Sequence, residues 1–168
     1  MKIYRICGYG SGRSALVVKL VQEFSFRQIK VAVIKHAHKP FDMDKEGSDT
    51  WNLRQNGCPQ TLIAHRDRWG LLCETPGGGE PDPLLLARNL VPCDLVLAVG
   101  FDAARLHGLE VRRGDDPSVP LHRRDAKICA VVVDGMPVPD VPFYFSHDSV
   151  EAIATHILQY AEVLPVEQ

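Results

Sequence analysis

The sequence lacks the features that mark several classes of protein. Within its 168 residues no apolar run approaches the roughly 18 residues that span a bilayer, and the first residues lack the apolar region and small-residue cleavage site of a signal peptide. Nineteen Lys and Arg against 21 Asp and Glu give a net charge of −2, the opposite of the basic character typical of nucleic-acid-binding proteins. We therefore expect a cytoplasmic protein that binds neither membranes nor nucleic acid.

Paired cysteines are also missing. The five cysteines are scattered singly without a C-x-x-C pair, and their odd number argues against a disulfide or zinc framework. We expect reduced, mostly buried thiols. The 45% of hydrophobic and 24% of charged residues are typical of a globular protein, and the length predicts one domain spanning residues 1–168.

Apolar patterning in the first part of the chain predicts a strand, a helix and a second strand. Lys2–Cys7 is a short β-prone run, and apolar residues at helical spacing predict a helix over about Ser14–Arg27. Lys30–Ile34 is a continuous, mostly β-branched run, which is typical of a strand buried on both faces in a parallel sheet. Together they predict a βαβ unit.

The rest of the chain continues this alternation. An irregular loop over Lys35–Gly47 precedes a helix over Ser48–Asn56, in which Ser48 or Asp49 is the N-cap. An antiparallel hairpin is predicted over Gln60–His65 and Arg68–Glu74, followed by a Gly- and Pro-rich connector (75–83) and a short helix. Three more strands are predicted over Asp94–Val99, Leu109–Arg112 and Ile128–Val133. The last predicted helix runs from about Val150 to Leu158, with a capping box of Asp148 and Glu151. The predicted fold class is α/β, a mostly parallel sheet flanked by helices, with an antiparallel hairpin.

A glycine cluster, Gly8-Tyr9-Gly10-Ser11-Gly12, lies at the first strand-to-helix turn. At such a turn, backbone N–H groups and the helix dipole converge on a phosphate. Gly12-Arg13-Ser14 matches the end of the motif G-x-x-x-x-G-K-[ST], with arginine in place of lysine. Counted from Gly8 the loop is one residue short, unless Cys7 stands where the first glycine belongs. From this motif alone, phosphate binding and a purely structural turn both remain open.

The segment after the second strand is rich in groups that bind phosphate or metal. It offers a lysine, histidines that titrate near neutral pH, and carboxylates of the kind that Mg²⁺ prefers: Lys35, His36, His38, Asp42, Asp44 and Asp49. Each has a structural alternative, since Asp49 can cap the helix, the other carboxylates can be solvated loop charges, and the histidines can be structural. We expect Phe41 to be a packing anchor.

Residues Val33 to Thr50 carry this segment in an order that resembles the signature of the molybdopterin-guanine dinucleotide biosynthesis protein B (MobB) family. That family has a phosphate loop followed by I-K-H-x-H-x-x-F-D-x-D-x-x-G-x-D. Further agreement comes from Asn56-Gly57-Cys58, from the strand and turn over 94–101, and from Leu109-Glu-Val-Arg112. The resemblance covers most of the chain, from Ile3 to about Val133.

The resemblance implies a P-loop NTPase-like protein of the SIMIBI type that binds GTP with Mg²⁺ and works as a homodimer. It implies that the partner is the molybdopterin guanylyltransferase, which attaches GMP to molybdopterin. The implied nucleotide-binding residues are Gly8, Gly10, Ser11, Gly12, Arg13, Ser14, Ala15, Lys35, His36, His38, Asp42, Asp44, Asp49 and Gly100. Ser14 and Asp44 are the candidate metal ligands, and no catalytic residue is assigned.

The sequence departs from the family where phosphoryl transfer needs charge. Arg13 replaces the loop lysine, Ala15 stands where the family has a second hydroxyl, Val99 replaces the glutamate of E-G-F, and Asp102 replaces the lysine that follows. Because such catalysis depends on positioning and charge neutralisation, we expect weak GTP hydrolysis at most. A nucleotide-independent adaptor that binds molybdopterin or its transferase is the alternative. A phosphate-loop kinase or ATPase is disfavoured, because it would keep the lysine and the acidic strand end.

Overall fold

A computed structural model describes residues 1–8, 11–135 and 140–164 of the chain. The chain divides into two compact units, residues 1–36 with 82–168, and residues 37–81. The strands are β1 (Lys2–Gly8), β2 (Val31–Lys35), β3 (Gln60–His65), β4 (Arg68–Cys73), β5 (Leu95–Val99), β6 (Gly108–Val111), β7 (Ile128–Val132), β8 (Phe143–Phe145) and β9 (Glu162–Val163). The helices are α1 (Ser11–Phe26), α2 (Asp49–Gln55), α3 (Pro83–Ala87) and α4 (Val150–Tyr160), with a 3-10 turn at Leu121–Arg123. The single domain expected from the length stays a prediction.

The first unit contains a largely parallel sheet. Its described strands run in the order β2-β5-β1-β6-β7-β8, all parallel to their neighbours, and β9 pairs antiparallel with the start of β1. Two apolar clusters cover its faces. Residues of α1 and α4 pack on one face, and α3 with the chain after β5 packs on the other. The predicted α/β class is thus confirmed.

Strand β2 differs from the prediction. It lies at the end of the strand order rather than inside the sheet, and Val33 is 40% exposed. Its neighbour β5, which lies between β2 and β1, is buried at every position. The continuous apolar run of β2 was therefore read wrongly as a sign of burial on both faces. Strands β8 and β9, only three and two residues long, were not predicted.

Two helix boundaries depart from the sequence patterns. Helix α1 begins at Ser11 rather than about Ser14, so the last glycine of the cluster lies in its first turn. Helix α4 has Ser149 as its N-cap, without a side-chain hydrogen bond. The predicted capping box is therefore wrong, and the Asp148 carboxylate instead accepts a hydrogen bond from Lys19 Nζ at 3.1 Å. Helix α2 has the predicted N-cap, because the Ser48 hydroxyl accepts a hydrogen bond from the Trp51 N–H.

The core of the first unit holds polar groups that are paired with one another. Arg5, fully buried, donates to the Asp125 carboxylate and to the Asp102 carbonyl. On the α4 side, the Tyr4 hydroxyl lies 3.0 Å from Nε2 of His156, and burial lowers the pKa of His156 to about 4. His156 is therefore neutral at physiological pH, as its apolar surroundings require.

The cysteines are free thiols, as predicted, but they are less buried than expected. Cys7 is buried, whereas Cys73 is exposed and the others are partly exposed. Burial raises the pKa of the Cys7 thiol, so it is protonated and unreactive at neutral pH.

The second unit contains α2 and the predicted hairpin. Strands β3 and β4 pair antiparallel from Gln60↔Cys73 to His65↔Arg68, so the hairpin prediction is confirmed. Gly57, after α2, has a φ of +90°, which suits the glycine that ends a helix. Phe41 is 71% exposed, so the expectation that it anchors the loop by packing is wrong. None of the helices in the described ranges has the length and apolar character needed to cross a membrane.

Candidate functional site

The glycine cluster begins where β1 meets β6 at unusually short range. Gly8 has a φ of +97°, and a Cβ atom there would lie 2.1 Å from the carbonyl oxygen of Val111. Any other residue would therefore force the ends of the two strands apart. Helix α1 begins three residues later, at Ser11, so its first turn opens at the carboxyl edge of the sheet. Binding sites of open α/β sheets lie at this edge.

Arg13 does not extend from this turn toward solvent. Its side chain is buried, and the guanidinium donates a hydrogen bond to the carbonyl of Gly8 at 2.5 Å. Gly100, at the end of β5, leaves room for it, since a Cβ atom there would lie 3.3 Å from the guanidinium. Arg13 thus bridges the ends of β1 and β5 from inside the turn. This is a different position from that of a phosphate-loop lysine, which points at the phosphates.

Histidine 36 joins the same group at the sheet edge. Its backbone N–H donates to the carbonyl of Val99, its Nδ1 lies 3.3 Å from the Gly100 carbonyl, and its ring stacks on Phe101 at 5.3 Å. The predicted residues Gly8, Arg13, His36 and Gly100 are therefore brought together. Lys35, at the end of β2, is exposed.

The other predicted residues of the segment after β2 lie in the second unit. Arg54 of α2 binds three carboxylates there, those of Asp42 at 2.7 Å, Asp44 at 2.9 Å and Glu74 at 2.5 Å. Its hydrogen bond to Asp42 holds the pKa of that carboxyl below its usual range. Two of the three aspartates predicted for the site are thus paired with arginine. The third, Asp49, is the first residue of α2, and His38 is exposed in the loop.

The two candidate metal ligands have different surroundings. Ser14 lies exposed in the first turn of α1, where a hydroxyl suits Mg²⁺ held together with nucleotide phosphates. Asp44 already accepts hydrogen bonds from Arg54 and from the Thr50 hydroxyl at 3.0 Å. Within the described ranges, no three His, Cys, Asp or Glu side chains are grouped so as to hold a metal ion. The donor set therefore fits Mg²⁺ only as an ion that arrives with phosphates.

A cavity of about 500 Å³ lies beside the first two turns of α1, within the first unit. Its other walls are formed by the residues that follow β6, β7 and β8. The lining residues are Gly12, Ala15, Leu16, Lys19, Val111, Arg112, Arg113, Gly114, Asp134, His147 and Asp148. This volume is within the range of small-molecule sites. Of these residues only Gly12 and Ala15 were predicted for the site.

Asp134 and His147, on one wall of the cavity, were missed by the sequence reasoning. The Asp134 carboxylate accepts a hydrogen bond from the His147 backbone N–H at 3.2 Å, and its other oxygen lies 3.1 Å from Nδ1 of the same residue. The ring of His147 lies against Gly12, where a Cβ atom would be 3.2 Å from Nε2. The position of Asp134 directly after a predicted strand could have indicated this pair. It did not, because β8, which places His147 beside Asp134, was not predicted.

The cations that line the cavity have acidic partners. Lys19 is paired with Asp148 at 3.1 Å, and the exposed Arg113 has Asp115 at 3.6 Å. Arg112 is buried, binds Glu110 at 2.8 Å and donates to the carbonyls of Asp116 and Ser118. Its position at the end of a strand was predicted, and its buried side chain holds the following loop.

These features define the class of protein. A mostly parallel sheet with helices on both faces, and a glycine turn leading into a helix at the carboxyl edge of a central strand, is a P-loop-like α/β fold. The family model for molybdopterin guanine dinucleotide synthesis protein B, MobB, matches residues 3–134. The chain belongs to the MobB family, as the sequence motifs indicated.

Individual relatives agree with this assignment. A molybdopterin-guanine dinucleotide biosynthesis adapter protein of Haemophilus influenzae is 35% identical over 130 residues, which are 77% of this chain and 72% of that protein. One of the same name from Escherichia coli is 39% identical over 94 residues, 55% of this chain and 54% of that protein. The crystal structure of a molybdopterin-guanine biosynthesis protein B superposes with a TM-score of 0.74 at 27% identity, covering 94% of this chain and 98% of that one.

The pairing of Arg54 leads to a prediction for the second unit. Replacing Arg54 with alanine leaves three carboxylates without their cation, so we expect the loop around Asp44 to open more often. The Asp44 N–H, which donates to the Asp42 carboxylate at 2.9 Å, should exchange its hydrogen roughly 10-fold faster. Hydrogen exchange measured by NMR tests this. Arg66→Ala at the exposed hairpin turn is the control and should leave that amide unchanged. Equal exchange in both variants would contradict the role given to Arg54.

Proposed function

We propose that this chain is an accessory protein of molybdopterin guanine dinucleotide biosynthesis that binds a guanine nucleotide in the cavity beside α1 and hydrolyses it slowly or not at all. The observation that carries the nucleotide proposal is the cavity itself, which is bounded by the first turns of α1 and the ends of β6, β7 and β8. The biosynthetic role is supported by the names of the relatives in Haemophilus influenzae and Escherichia coli.

The first turn of α1 supplies the phosphate-binding part of the proposed site. The first N–H groups of a helix have no partner inside it, and the helix dipole favours an anion there. Gly12 and Ala15 line the cavity at this turn, and Ser14 lies exposed between them. Ser14 would hold Mg²⁺, which in phosphate-loop proteins neutralises charge on the phosphates. The rest of the cavity would accept the nucleoside.

Slow hydrolysis follows from the placement of two side chains. The guanidinium of Arg13 is buried and donates to the Gly8 carbonyl, whereas the lysine of a phosphate loop points at the phosphates. Val99, where the family has glutamate, is 3% exposed and packs in the core with α1. An apolar side chain can neither hold a metal nor orient water. In this proposal the chain binds the nucleotide but lacks the lysine and the glutamate that the family supplies for hydrolysis.

Titration with GTP and Mg²⁺ tests nucleotide binding. Calorimetry should show saturable binding in the micromolar range, weakened roughly 10-fold in Ser14→Ala, because the hydroxyl proposed to hold Mg²⁺ is gone. Ser25→Ala, on the exposed far end of the same helix, is the matched control. Phosphate release should be slow, and Arg13→Lys combined with Val99→Glu and one residue inserted after Gly10 should raise it. Fast turnover by the native protein that Ser14→Ala abolishes would overturn the proposal of slow hydrolysis.

A nucleotide-independent adapter is the second candidate function. The bond from Arg13 to the Gly8 carbonyl supports it, because this bond holds the guanidinium inside the protein. In this case the protein would bind molybdopterin or the transferase through the same edge of the sheet. An absence of heat and of any saturable signal in the GTP titration would favour this candidate.

Both candidates share a proposed partner, the molybdopterin guanylyltransferase. We expect the two proteins to elute together in size-exclusion chromatography at micromolar concentrations. If the nucleotide proposal is right, adding GTP and Mg²⁺ should shift the elution profile, whereas the nucleotide-independent adapter should give the same profile with and without them. Separate elution under both conditions would contradict the partner, whichever candidate holds.

The hairpin supports the proposal that the chain is a homodimer. Neighbouring strand residues point to opposite faces, yet Leu62 is 59% exposed, Ile63 60% and Trp69 54%. A two-stranded hairpin with apolar side chains on both faces is marginally stable in water by itself, and apolar patches of this kind mark protein interfaces. We therefore propose that a second copy covers it.

Light scattering after size-exclusion chromatography tests the dimer. The native chain should have twice the monomer mass. Trp69→Glu should shift it to the monomer, because the substitution places a charge in the proposed interface. Val91→Glu changes another well-exposed apolar residue, outside the hairpin, and should leave the dimer intact. A native monomer at high micromolar concentration, or a dimer in the Trp69 variant, would contradict the hairpin as the interface.

A further inference from the structure

We propose that His147, paired with Asp134, supplies the phosphate-facing cation of the nucleotide site, in the role that a phosphate loop gives to its lysine. The inference rests on the proposed function, since it concerns the same cavity. It makes nucleotide affinity depend on pH through one imidazole.

The site needs a cation because its arginine is committed elsewhere. Arg13 is 9% exposed, donates to the Gly8 carbonyl and packs against Gly100. Moving the Arg13 side chain into the cavity would break its hydrogen bond to the Gly8 carbonyl, and both groups would then need other hydrogen-bond partners. A nucleotide that enters the cavity therefore meets a turn whose own positive side chain points away from it.

His147 contacts the first turn of α1 from the cavity. Its ring lies against the first turn of α1, close enough that a Cβ atom on Gly12 would be 3.2 Å from Nε2. A side chain at position 12 would therefore crowd the imidazole. The residue lines the cavity together with Gly12 and Ala15, the positions whose backbone the phosphates would approach.

Asp134 lies beside the imidazole. One carboxylate oxygen accepts a hydrogen bond from the His147 backbone N–H at 3.2 Å, and the other lies 3.1 Å from Nδ1, within ion-pair distance. Nε2, on the opposite side of the ring from the carboxylate, faces the first turn of α1, and a proton on Nε2 makes it a hydrogen-bond donor. The hydrogen bonds from His147 keep the pKa of Asp134 below its usual range, so the carboxylate is charged throughout the range in which histidine titrates.

The other cations around the cavity have carboxylate partners, as His147 does. Lys19 of α1 pairs with Asp148 before α4, the buried Arg112 with Glu110, and Arg113 with Asp115. His147 differs from these cations in its position, because its Nε2 lies against Gly12 at the first turn of α1. Phosphate binding and imidazole protonation should favour each other, because each places a charge next to its opposite.

Calorimetric titration with GDP and Mg²⁺ between pH 5.5 and 8.5 tests the inference. The terminal phosphate of the nucleotide titrates in this range, so the quantity of interest is the ratio of affinities between the native protein and His147→Gln at each pH. We expect native binding to be roughly 10-fold tighter at pH 5.5, with the ratio approaching one at pH 8.5. His107→Gln removes an imidazole that lies 3.0 Å from the Glu162 carboxylate and does not line the cavity, so it should behave like the native protein.

A permanent cation provides the second variant. His147→Lys should bind with the low-pH affinity across the whole range, which a purely structural role of the imidazole would not produce. The inference is overturned if the pH profile of nucleotide affinity is the same in the native protein and in His147→Gln, or if His147→Lys binds no more tightly than His147→Gln. Either result leaves the nucleotide proposal standing. Absence of binding by every form at every pH overturns the nucleotide proposal and this inference with it.

Discussion

The contact on which the candidate site depends is the approach of β6 to the end of β1, where Gly8 lies against the Val111 carbonyl at a distance that excludes any side chain. This approach fixes the direction in which the Gly8 carbonyl points, and the guanidinium of Arg13 binds that carbonyl. It also brings the chain after β6 next to α1, which forms one wall of the cavity. A single steric constraint thus determines both where Arg13 lies and where a ligand can enter.

The arginine in the turn changes the relation between fold and chemistry in this MobB-family chain. A lysine is a compact charge that can lie inside a phosphate loop, whereas the broad, planar guanidinium needs a flat packing surface and several acceptors. Gly100, which has no side chain, provides that flat surface, and the carbonyl of Gly8 is an acceptor. The same side chain therefore joins β1, β5 and α1. In the proposed function, binding and hydrolysis are separate, because positions 13 and 99, where the family has lysine and glutamate, are buried.

The sequence predicted the fold well where local patterns determine it. Strand β5, the hairpin and helix α2 with its Ser48 cap followed from apolar runs, turn residues and capping chemistry. The position of β2 at the end of the sheet could not be predicted from the sequence, because a β-branched run has the same pattern in an edge strand and in a central strand. The site was predicted in part. Gly8, Arg13 and Gly100 were named, but the direction of the Arg13 side chain depends on Gly8 and Gly100, which are far apart in sequence. Asp134 and His147 were missed because their pairing arises only when β7 and β8 lie side by side.

The paired charges around the cavity affect how fast a ligand can arrive. Rapid association of anionic ligands relies on an uncompensated positive field that extends beyond the surface by about a Debye length, roughly 8 Å at physiological ionic strength. Here Lys19, Arg112 and Arg113 each have a carboxylate within 3.6 Å, so the field they project is largely that of dipoles, which decays steeply. An anionic ligand would reach this cavity by unassisted diffusion, at a rate that depends little on salt. Such a protein selects its ligand after contact rather than by attraction from a distance.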